Sequence, residues 1–367
     1  MSDIKVPFQD FRTPYQELKE EFDAAYHRFM DSGWFVLGKE TEAFEEEYAV
    51  YCESSHCVGV ANGLEALHLA VRAMGIGAGD EVIVPSNTYI ATWLAVTQAG
   101  AIPVPVEPDP ATFNIDPSRI EEAITPRTKA ILAVNLYGQP CNYDSIIAIA
   151  RQHGLKTAID NAQSHGALYK GQRVGGLADI ECHSFYPSKN LGAYGEAGAI
   201  TTNDTALADK VRVLRNYGSR VRYHNEVLGY NSRIDELQAA FLRVKLRHLD
   251  EWNARRTFIA DQYLSQLSTP GSELVLPVVP SWASPVWHLF VVRHPQRDNL
   301  QQHLADQGIQ TIIHYPIPPH LSGAYSSASP SVLPVAEHLA NHVLSIPIGP
   351  HLQNHHIEFV VATLRAF

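Results

Sequence analysis

Short apolar runs alternate with helical patterns over the first two-thirds of this chain, and this alternation restricts the possible folds more than any other feature. Several runs are rich in valine and isoleucine and lack a clean alternation of polar and apolar residues. Such runs are typical of parallel strands that helices cover on both faces. We therefore predict a doubly wound α/β domain. The strand candidates are HCVGV (56–60), EVIVP (81–85), IPVPVE (102–107), AILAVNLYG (130–138), KTAID (156–160), ECHSFY (181–186) and AGAITT (197–202).

Two of the intervening stretches carry clear helical patterns. Leu64, Leu67, Val71 and Met74 are spaced by three, four and three residues, which places them on one face of a helix. The run NYDSIIAIARQHG (142–154) ends on a glycine, a common stop signal for helices. Both stretches are predicted to be helices that connect strands.

The pattern changes after about residue 235. DELQAAFLRVKLRHLDEWNARR predicts one long amphipathic helix, followed by a stretch rich in proline, glycine and serine. A strand candidate, VWHLFVVR (286–293), comes next. We predict a large α/β domain over residues 1–250 and a smaller α+β domain over residues 251–367.

Composition excludes several classes of partner. The net charge of −11 argues against nucleic acids and anionic membranes, which bind basic surfaces. No apolar run approaches the roughly 18 residues that span a bilayer, and the segment MSDIKVPFQD lacks the features of a signal peptide. The four cysteines and the histidines of NHHIEF (354–359) match no metal-ligand spacing. These observations predict a cytoplasmic protein with no metal site.

A set of polar residues follows the predicted strands, where open α/β sheets bind their ligands. Asp160 ends one strand, and Gly63 connects another strand to a helix. Ser184 lies in a third strand, and Lys189 lies in the loop that follows it. Each has an ordinary structural explanation, as a helix cap, a surface charge or a turn. Together they meet the needs of pyridoxal phosphate, which takes a lysine amine, a carboxylate for its ring nitrogen and an anion site for its phosphate. Tyr89, just after another strand, can stack on the ring.

With these residues, the chain resembles the DegT/DnrJ/EryC1/StrS family of sugar aminotransferases, which are fold type I pyridoxal-phosphate enzymes. The resemblance covers nearly the whole chain. Its motifs are VPFQDF, SGWFVLGKETEAFEEEYA, VPSNTYIATWLA, VNLYGQP, IDNAQSHGA, SFYPSKNLGAYGEAGAITTND, YGSRVRYHNEVLGYNSRIDELQAA, HYPIPPHL and LSIPIGPHL.

The resemblance implies a role for each matching residue. Lys189 would form the Schiff base with the cofactor and move the proton during catalysis. Asp160 would pair with the ring nitrogen, Gln163 would contact the phenolic oxygen, and Tyr89 would stack on the ring.

The resemblance also implies how the phosphate is held. The backbone around Asn62, Gly63 and Leu64 would bind it together with the hydroxyl of Ser184. Asn231 of the neighbouring subunit would complete the site, which implies a homodimer with shared active sites.

Two positions depart from the usual family pattern. The common NGT or SGT triplet is NGL here, so a threonine hydroxyl is missing from the phosphate loop. The usual GDGG after the lysine is GEAG (195–198). Lys189 is retained, which disfavours the related dehydratases, because they carry histidine at that position.

The family transfers an amino group, usually from glutamate, to a keto sugar on a nucleoside diphosphate. The motifs NGL, PSNTYIATWLA, YHNEVLGYNSR and IGPHL resemble most the members that act on the C3 keto group of dTDP-3-keto-6-deoxyhexoses. Two alternatives stay open here: a 4-keto aminotransferase of the perosamine or viosamine type, and a protein that binds pyridoxal phosphate without catalysis. His320 and Tyr315 lie in a segment that lines the sugar pocket of relatives, and Tyr223 and His224 lie in a loop expected to reach the partner's site.

Overall fold

Strands and helices alternate along most of the computed structural model, which describes residues 5–326 and 332–367. Residues 1–4 of the segment MSDIKVPFQD lie outside the described ranges. The strands are β1 (His56–Val60), β2 (Glu81–Pro85), β3 (Ile102–Val106), β4 (Thr128–Val134), β5 (Lys156–Asp160), β6 (Leu168–Tyr169), β7 (Gln172–Arg173), β8 (Ile180–Ser184), β9 (Gly198–Thr202), β10 (Ser219–Val221), β11 (His224–Asn225), β12 (Ala283–Ser284), β13 (Phe290–Arg293) and β14 (Val343–Ile346). The α-helices are α1 (Arg12–Glu17), α2 (Lys19–Ser32), α3 (Lys39–Tyr51), α4 (Gly63–Ala73), α5 (Ala91–Gln98), α6 (Tyr143–His153), α7 (Thr205–Leu214), α8 (Glu236–Leu246), α9 (Leu249–Leu267), α10 (Arg297–Asp306), α11 (Pro334–His342) and α12 (Asn354–Arg365).

A seven-stranded sheet lies at the centre of the larger part of the chain, with the strand order β1-β9-β8-β5-β4-β2-β3. Six strands are parallel, and β9 runs antiparallel to its neighbours β1 and β8. One face packs against α4, α5 and α7, and the other packs against α6. The mainly parallel α/β architecture predicted from the apolar runs is confirmed.

The predicted strands agree with the structure except at some ends. β1, β2 and β5 have the predicted bounds, whereas β4 begins at Thr128 and ends at Val134. The extension of that strand to residue 138 was wrong. Tyr137 and Gly138 have φ angles of 61° and 99°, a left-handed backbone that cannot continue a strand.

The two predicted helices are present. In α4, Leu67 and Val71 are buried against the sheet, as their spacing predicts. Helix α6 begins after Asn142, whose side chain accepts a hydrogen bond from the amide of Ser145, 3.2 Å away. It ends at Gly154, which has the left-handed φ of 65° that glycine adopts without strain.

The single long helix predicted after residue 235 is two helices, α8 and α9. The amide of His248 donates to the carbonyl of Lys245, three residues back, so the regular ladder stops between them. The sequence has no glycine or proline at this break, which explains why its helical pattern reads as continuous.

The C-terminal part of the chain has its own apolar cluster. β13 and β14 form an antiparallel pair, and α9, α10 and α12 pack beside them. The strand predicted from residue 286 begins only at Phe290, because Trp287 has a φ of 50°. Val6, near the other end of the chain, also packs in this cluster. The predicted domain boundary at residue 250 falls in the first turn of α9 and stays a prediction.

None of the helices in the described ranges is both long and apolar enough to cross a lipid bilayer.

Candidate active site

A cavity of about 640 Å³ lies at the carboxyl ends of the parallel strands. Asp160 is the last residue of β5, and Ser184 is the last residue of β8. Asn62 follows β1, and Tyr89 follows β2. Because parallel strands end at one edge of a sheet, residues far apart in sequence line a single cavity there.

Asp160 is a buried carboxylate at the base of this cavity, with 7% of its surface exposed. Its Oδ1 accepts a hydrogen bond from the amide of Ala162 at 3.0 Å, and its Oδ2 accepts one from the hydroxyl of Thr92 at 3.1 Å. Burial raises the pKa of Asp160, while these hydrogen bonds and the charge of Lys189 lower it. Burial is the larger effect and leaves the pKa of Asp160 above its usual value, while the nearby cation offsets part of the cost of burying this carboxylate.

Lys189 lies in the loop after β8 and is half-buried. Burial lowers the pKa of Lys189 to about 8, against the opposing effect of the Asp160 charge. Roughly a tenth of such an amine is unprotonated at pH 7, against about one part in a few thousand for an ordinary lysine. Lys189 can therefore act as a nucleophile and as a proton carrier near neutral pH.

The N-terminus of α4 opens into the same cavity beside Ser184. The side chain of Asn62 caps this helix by accepting a hydrogen bond from the amide of Glu65 at 2.9 Å. A Cβ atom added to Gly63 would lie 2.4 Å from the Cβ of Ser184, so only glycine allows this close approach. The unpaired amides of the first helical turn and a nearby hydroxyl form a site suited to an anion.

Tyr89, Gln163 and Tyr315 form another part of the cavity wall. Gln163 donates from Nε2 to the hydroxyl of Tyr315 at 3.0 Å, and its Oε1 accepts from the amide of Tyr137 at 2.6 Å. The ring of Tyr89 is 55% exposed, and its centroid lies 5.4 Å from that of Tyr315. The exposed face of an aromatic ring is available to stack on a flat ligand.

Most of the predicted site residues meet in this cavity. The predicted residues that line the cavity are Asn62, Gly63, Leu64, Tyr89, Asp160, Gln163, Ser184, Lys189 and Tyr315. The specific roles assigned to them stay predictions.

Four predicted residues lie outside the cavity of their own chain. His320 is buried, and its Nε2 lies 3.1 Å from Oε1 of Glu337, so the structure does not bring it to the cavity wall. Tyr223 and His224 are exposed on the hairpin of β10 and β11, and Asn231 is exposed beyond it. These exposed positions leave the three residues free to meet another molecule.

The cavity lining also includes two histidines that the sequence analysis did not assign to the site, His288 and His314. Burial, with a smaller effect from the charge of Lys189, lowers the pKa of His314 to about 4. Burial also lowers the pKa of His288 far below its usual value. Both rings are therefore neutral at physiological pH. The sequence pointed to His314 only through its position next to Tyr315 in HYPIPPHL.

Three relatives match this chain over nearly all of its length. The erythromycin biosynthesis sensory transduction protein EryC1 of Saccharopolyspora erythraea is 55% identical over 99% of this chain and 100% of its own. The dTDP-3-amino-3,4,6-trideoxy-alpha-D-glucose transaminase of Streptomyces venezuelae is 53% identical over 95% of this chain and 92% of its own. The dTDP-3-amino-3,6-dideoxy-alpha-D-galactopyranose transaminase of Aneurinibacillus thermoaerophilus is 51% identical over 99% of each chain.

The fold agrees with that of a related crystal structure. DesV of S. venezuelae, in complex with a ketimine intermediate, superposes with a TM-score of 0.97 at 52% identity over 98% of each chain. The family model of the DegT/DnrJ/EryC1/StrS aminotransferases matches residues 16–365. The chain therefore belongs to the DegT/DnrJ/EryC1/StrS aminotransferase family.

Proposed function

We propose that this protein is a pyridoxal-phosphate-dependent aminotransferase. It moves an amino group from L-glutamate to the C3 keto group of a dTDP-3-keto-6-deoxyhexose. The observation that carries the proposal is the placement of Asp160 and Lys189 in one cavity with an anion site. The choice of C3 and of dTDP is supported by two relatives above 50% identity, both named for dTDP-3-amino sugars.

The residues of the cavity fit the cofactor. Asp160 is a buried acceptor for a protonated ring nitrogen, and Tyr89 presents a free aromatic face. The N-terminus of α4 and Ser184 both line the cavity, and together they suit a phosphate. Gln163 would contact the phenolic oxygen, which requires its Nε2 to turn from the hydroxyl of Tyr315 or to share its two hydrogens.

When bound, the cofactor supplies an electron sink that stabilises negative charge on the carbon that carries the amino group. Asp160 would favour this by keeping the ring nitrogen protonated. Lys189 would hold the cofactor through its amine and, with that amine free, would take up and return the proton of the reacting carbon at its Nζ. The neutral rings of His288 and His314 add no positive charge that would compete with Lys189 for Asp160.

A homodimer with shared active sites completes the proposal. Tyr223, in the turn of the β10–β11 hairpin, and Leu228, just after β11, are 82% and 90% exposed. Large exposed apolar side chains grouped in one segment favour burial against another chain. The hairpin is followed by Asn231, which would reach the partner's phosphate site, with Tyr223 and His224 near the partner's sugar.

Isotope exchange tests the proposed reaction. The holoprotein is mixed with ¹⁵N-labelled glutamate, a trace of 2-oxoglutarate and an unlabelled dTDP-3-amino-3,6-dideoxyhexose, and the sugar is followed by mass spectrometry. Label should enter the 3-amino sugar, with the matching 4-amino sugar as control. Label in the 4-amino sugar alone would replace the C3 assignment by the perosamine or viosamine type. Label in neither sugar would contradict transfer between glutamate and this sugar class.

A regulatory protein that binds the cofactor passively is the competing function, since one relative is named as a sensory transduction protein. Such a protein has no need for an amine whose pKa lies near 8 beside a buried carboxylate. The exchange experiment separates the two functions, because a passive binder leaves no label in either sugar.

A further inference from the structure

A second cavity lies next to the loop that carries Lys189. It has a volume of about 60 Å³, and its lining includes Asp10, Lys189, Lys245, Trp252, Arg256 and His351. We call it the lysine-loop cleft. A single water needs roughly 10–15 Å³ of such space, so the cleft has room for several waters or one small ion.

Lys245 is a buried cation in this cleft, with 7% of its surface exposed. Its ammonium donates to the carbonyl of Gly192 at 2.6 Å and lies 3.9 Å from the ring centroid of Tyr194. No carboxylate among the described residues forms an ion pair with it. Burial lowers the pKa of Lys245 to about 8, and no neighbouring charge raises it. Since an ammonium has three donors, donors remain for a ligand.

Arg256 is the second cation of the cleft. Its hydrogen bonds all come from Nη1, which donates to the carbonyls of Trp287, His288 and Ile348 at 3.1, 3.4 and 3.2 Å. Burial lowers the pKa of Arg256 to about 10. It too has no ion pair within the described part of the chain. A planar guanidinium with further N–H donors suits a carboxylate or phosphate oxygen.

The acidic residue of the cleft does not neutralise these cations. Asp10 accepts hydrogen bonds from the amides of Arg12 and Thr13 and from the hydroxyl of Thr13. Its carboxylate therefore binds the first amides of α1 and forms no hydrogen bond with either cation. Burial lowers the pKa of His351, which favours its neutral form. The lining of the cleft therefore holds more cations than carboxylates, in a protein whose net charge is −11. Unpaired buried charges are costly unless a counter-ion meets them.

We propose that the lysine-loop cleft binds a small anion of the carboxylate or phosphate class between Lys245 and Arg256. The cleft shares Ser188 and Lys189 with the cavity assigned to the cofactor, but anion binding between Lys245 and Arg256 requires no step of the proposed reaction. The carbonyl of Gly192, to which Lys245 donates, belongs to the loop of Lys189, so the anion would lie against the loop that positions this amine.

Fluorescence titration of the holoprotein tests the site, because Trp252 lines the cleft. Sodium acetate and sodium phosphate are titrated separately, with a bulky sulfonate salt holding the ionic strength constant. A saturable change in emission is expected with at least one anion. The anion with the lower Kd shows whether the ligand is of the carboxylate or the phosphate class. Trp252→Phe should remove the fluorescence change, while calorimetry should still detect binding.

Two substitutions decide whether the cations form the site. Lys245→Met should weaken binding at least tenfold, and Arg256→Gln should do the same if the first variant does not fold. Lys210→Met is the matched control, because Lys210 also donates to a backbone carbonyl, that of Ala73 at 3.4 Å, but is exposed on α7. It should bind as the unchanged protein does. No saturable change with either anion, or unchanged affinity in Lys245→Met, would overturn the proposal.

Discussion

Burial acts in opposite directions on the two charged residues of the candidate active site. It raises the pKa of Asp160 and lowers that of Lys189 to about 8. Each charge offsets part of the cost of burying the other. The carboxylate can therefore hold a ring nitrogen protonated while the amine stays able to lose its proton near neutral pH. Both properties depend on the two strand ends, β5 and β8, being neighbours in the sheet.

The pKa of Lys189 predicts how cofactor capture depends on pH. Only the unprotonated amine attacks an aldehyde, so the rate at which the apoprotein captures pyridoxal phosphate should rise with pH and level off above about 8. An ordinary lysine would show the rise near 10.4. Stopped-flow absorbance measures the rate, with Lys189→Ala as the control that gives no capture. A midpoint near 10 would show that burial does not lower the pKa of Lys189.

Replacing the carboxylate separates its electrostatic role from its structural one. Asp160→Asn keeps the shape but removes the charge, so kcat/KM for transamination should fall about a hundredfold or more. The melting temperature should not fall, because burial already disfavours the charge. Asp144→Asn, which changes an exposed carboxylate paired with Lys170, is the control and should keep full activity. Near-normal activity in Asp160→Asn would show that another group protonates the ring.

The sequence marks some of these residues better than others. Asp160 and Lys189 follow valine- and isoleucine-rich or aromatic runs whose ends are visible in the sequence. His288 and His314 have no spacing relation to them and reach the cavity through the packing of the C-terminal part against the sheet. His320 shares its segment with Tyr315, yet its ring is buried against Glu337. Side-chain direction within a segment that forms only a single 3₁₀ turn, as around His320, is not encoded in a local pattern.

At the scale of elements, the boundary between β1 and α4 connects fold and function. The segment from Asn62 to Leu64 caps the helix and at the same time presents its first amides to the cavity. The position of the helix was predictable from its apolar spacing and its Asn-Gly start. The break between α8 and α9 was not, since neither glycine nor proline marks it.

Gly63→Ala tests the close approach at this boundary. Alanine is normally preferred over glycine in a helix by roughly 0.5–1 kcal/mol. Here its Cβ would lie 2.4 Å from that of Ser184, so overpacking should dominate and lower the free energy of unfolding by about 1–3 kcal/mol. Urea denaturation measures the effect, together with retention of the cofactor on dialysis.

The control for this substitution is Gly77→Ala. Its added Cβ would meet its nearest neighbour, Nη1 of Arg72, at an ordinary 3.4 Å. It should leave both stability and cofactor retention unchanged. Equal stability of the Gly63→Ala and Gly77→Ala variants would show that the boundary can relax without cost.

At the scale of the whole molecule, the proposed dimer joins two incomplete sites. The cavity contains Lys189, Asp160 and the N-terminus of α4, whereas exposed segments outside its lining carry Asn231, Tyr223 and His224. Exposed apolar residues around these segments favour burial of the hairpin against a second copy of the chain. A shared site also makes assembly a condition for activity.

Complementation between variants tests whether sites are shared. Lys189→Ala and Asn231→Ala homodimers should each be weakly active or inactive. When the two chains are co-expressed in equal amounts, half of the dimers combine both, and each of these has one intact site. Activity should then recover to roughly a quarter of the unchanged protein's value, as expected for random pairing in a symmetric dimer. A mixture no more active than the separate variants would contradict sharing through Asn231.

The absorbance spectrum of the holoprotein tests the central claim most directly. The protein is mixed in turn with a dTDP-3-amino-6-deoxysugar and with the corresponding 4-amino sugar, which runs half of the reaction backwards without an unstable keto sugar. We expect the 3-amino sugar alone to bleach the coloured form of the cofactor, and Lys189→Ala not to respond. Bleaching by the 4-amino sugar alone, or by neither, would contradict the proposed function.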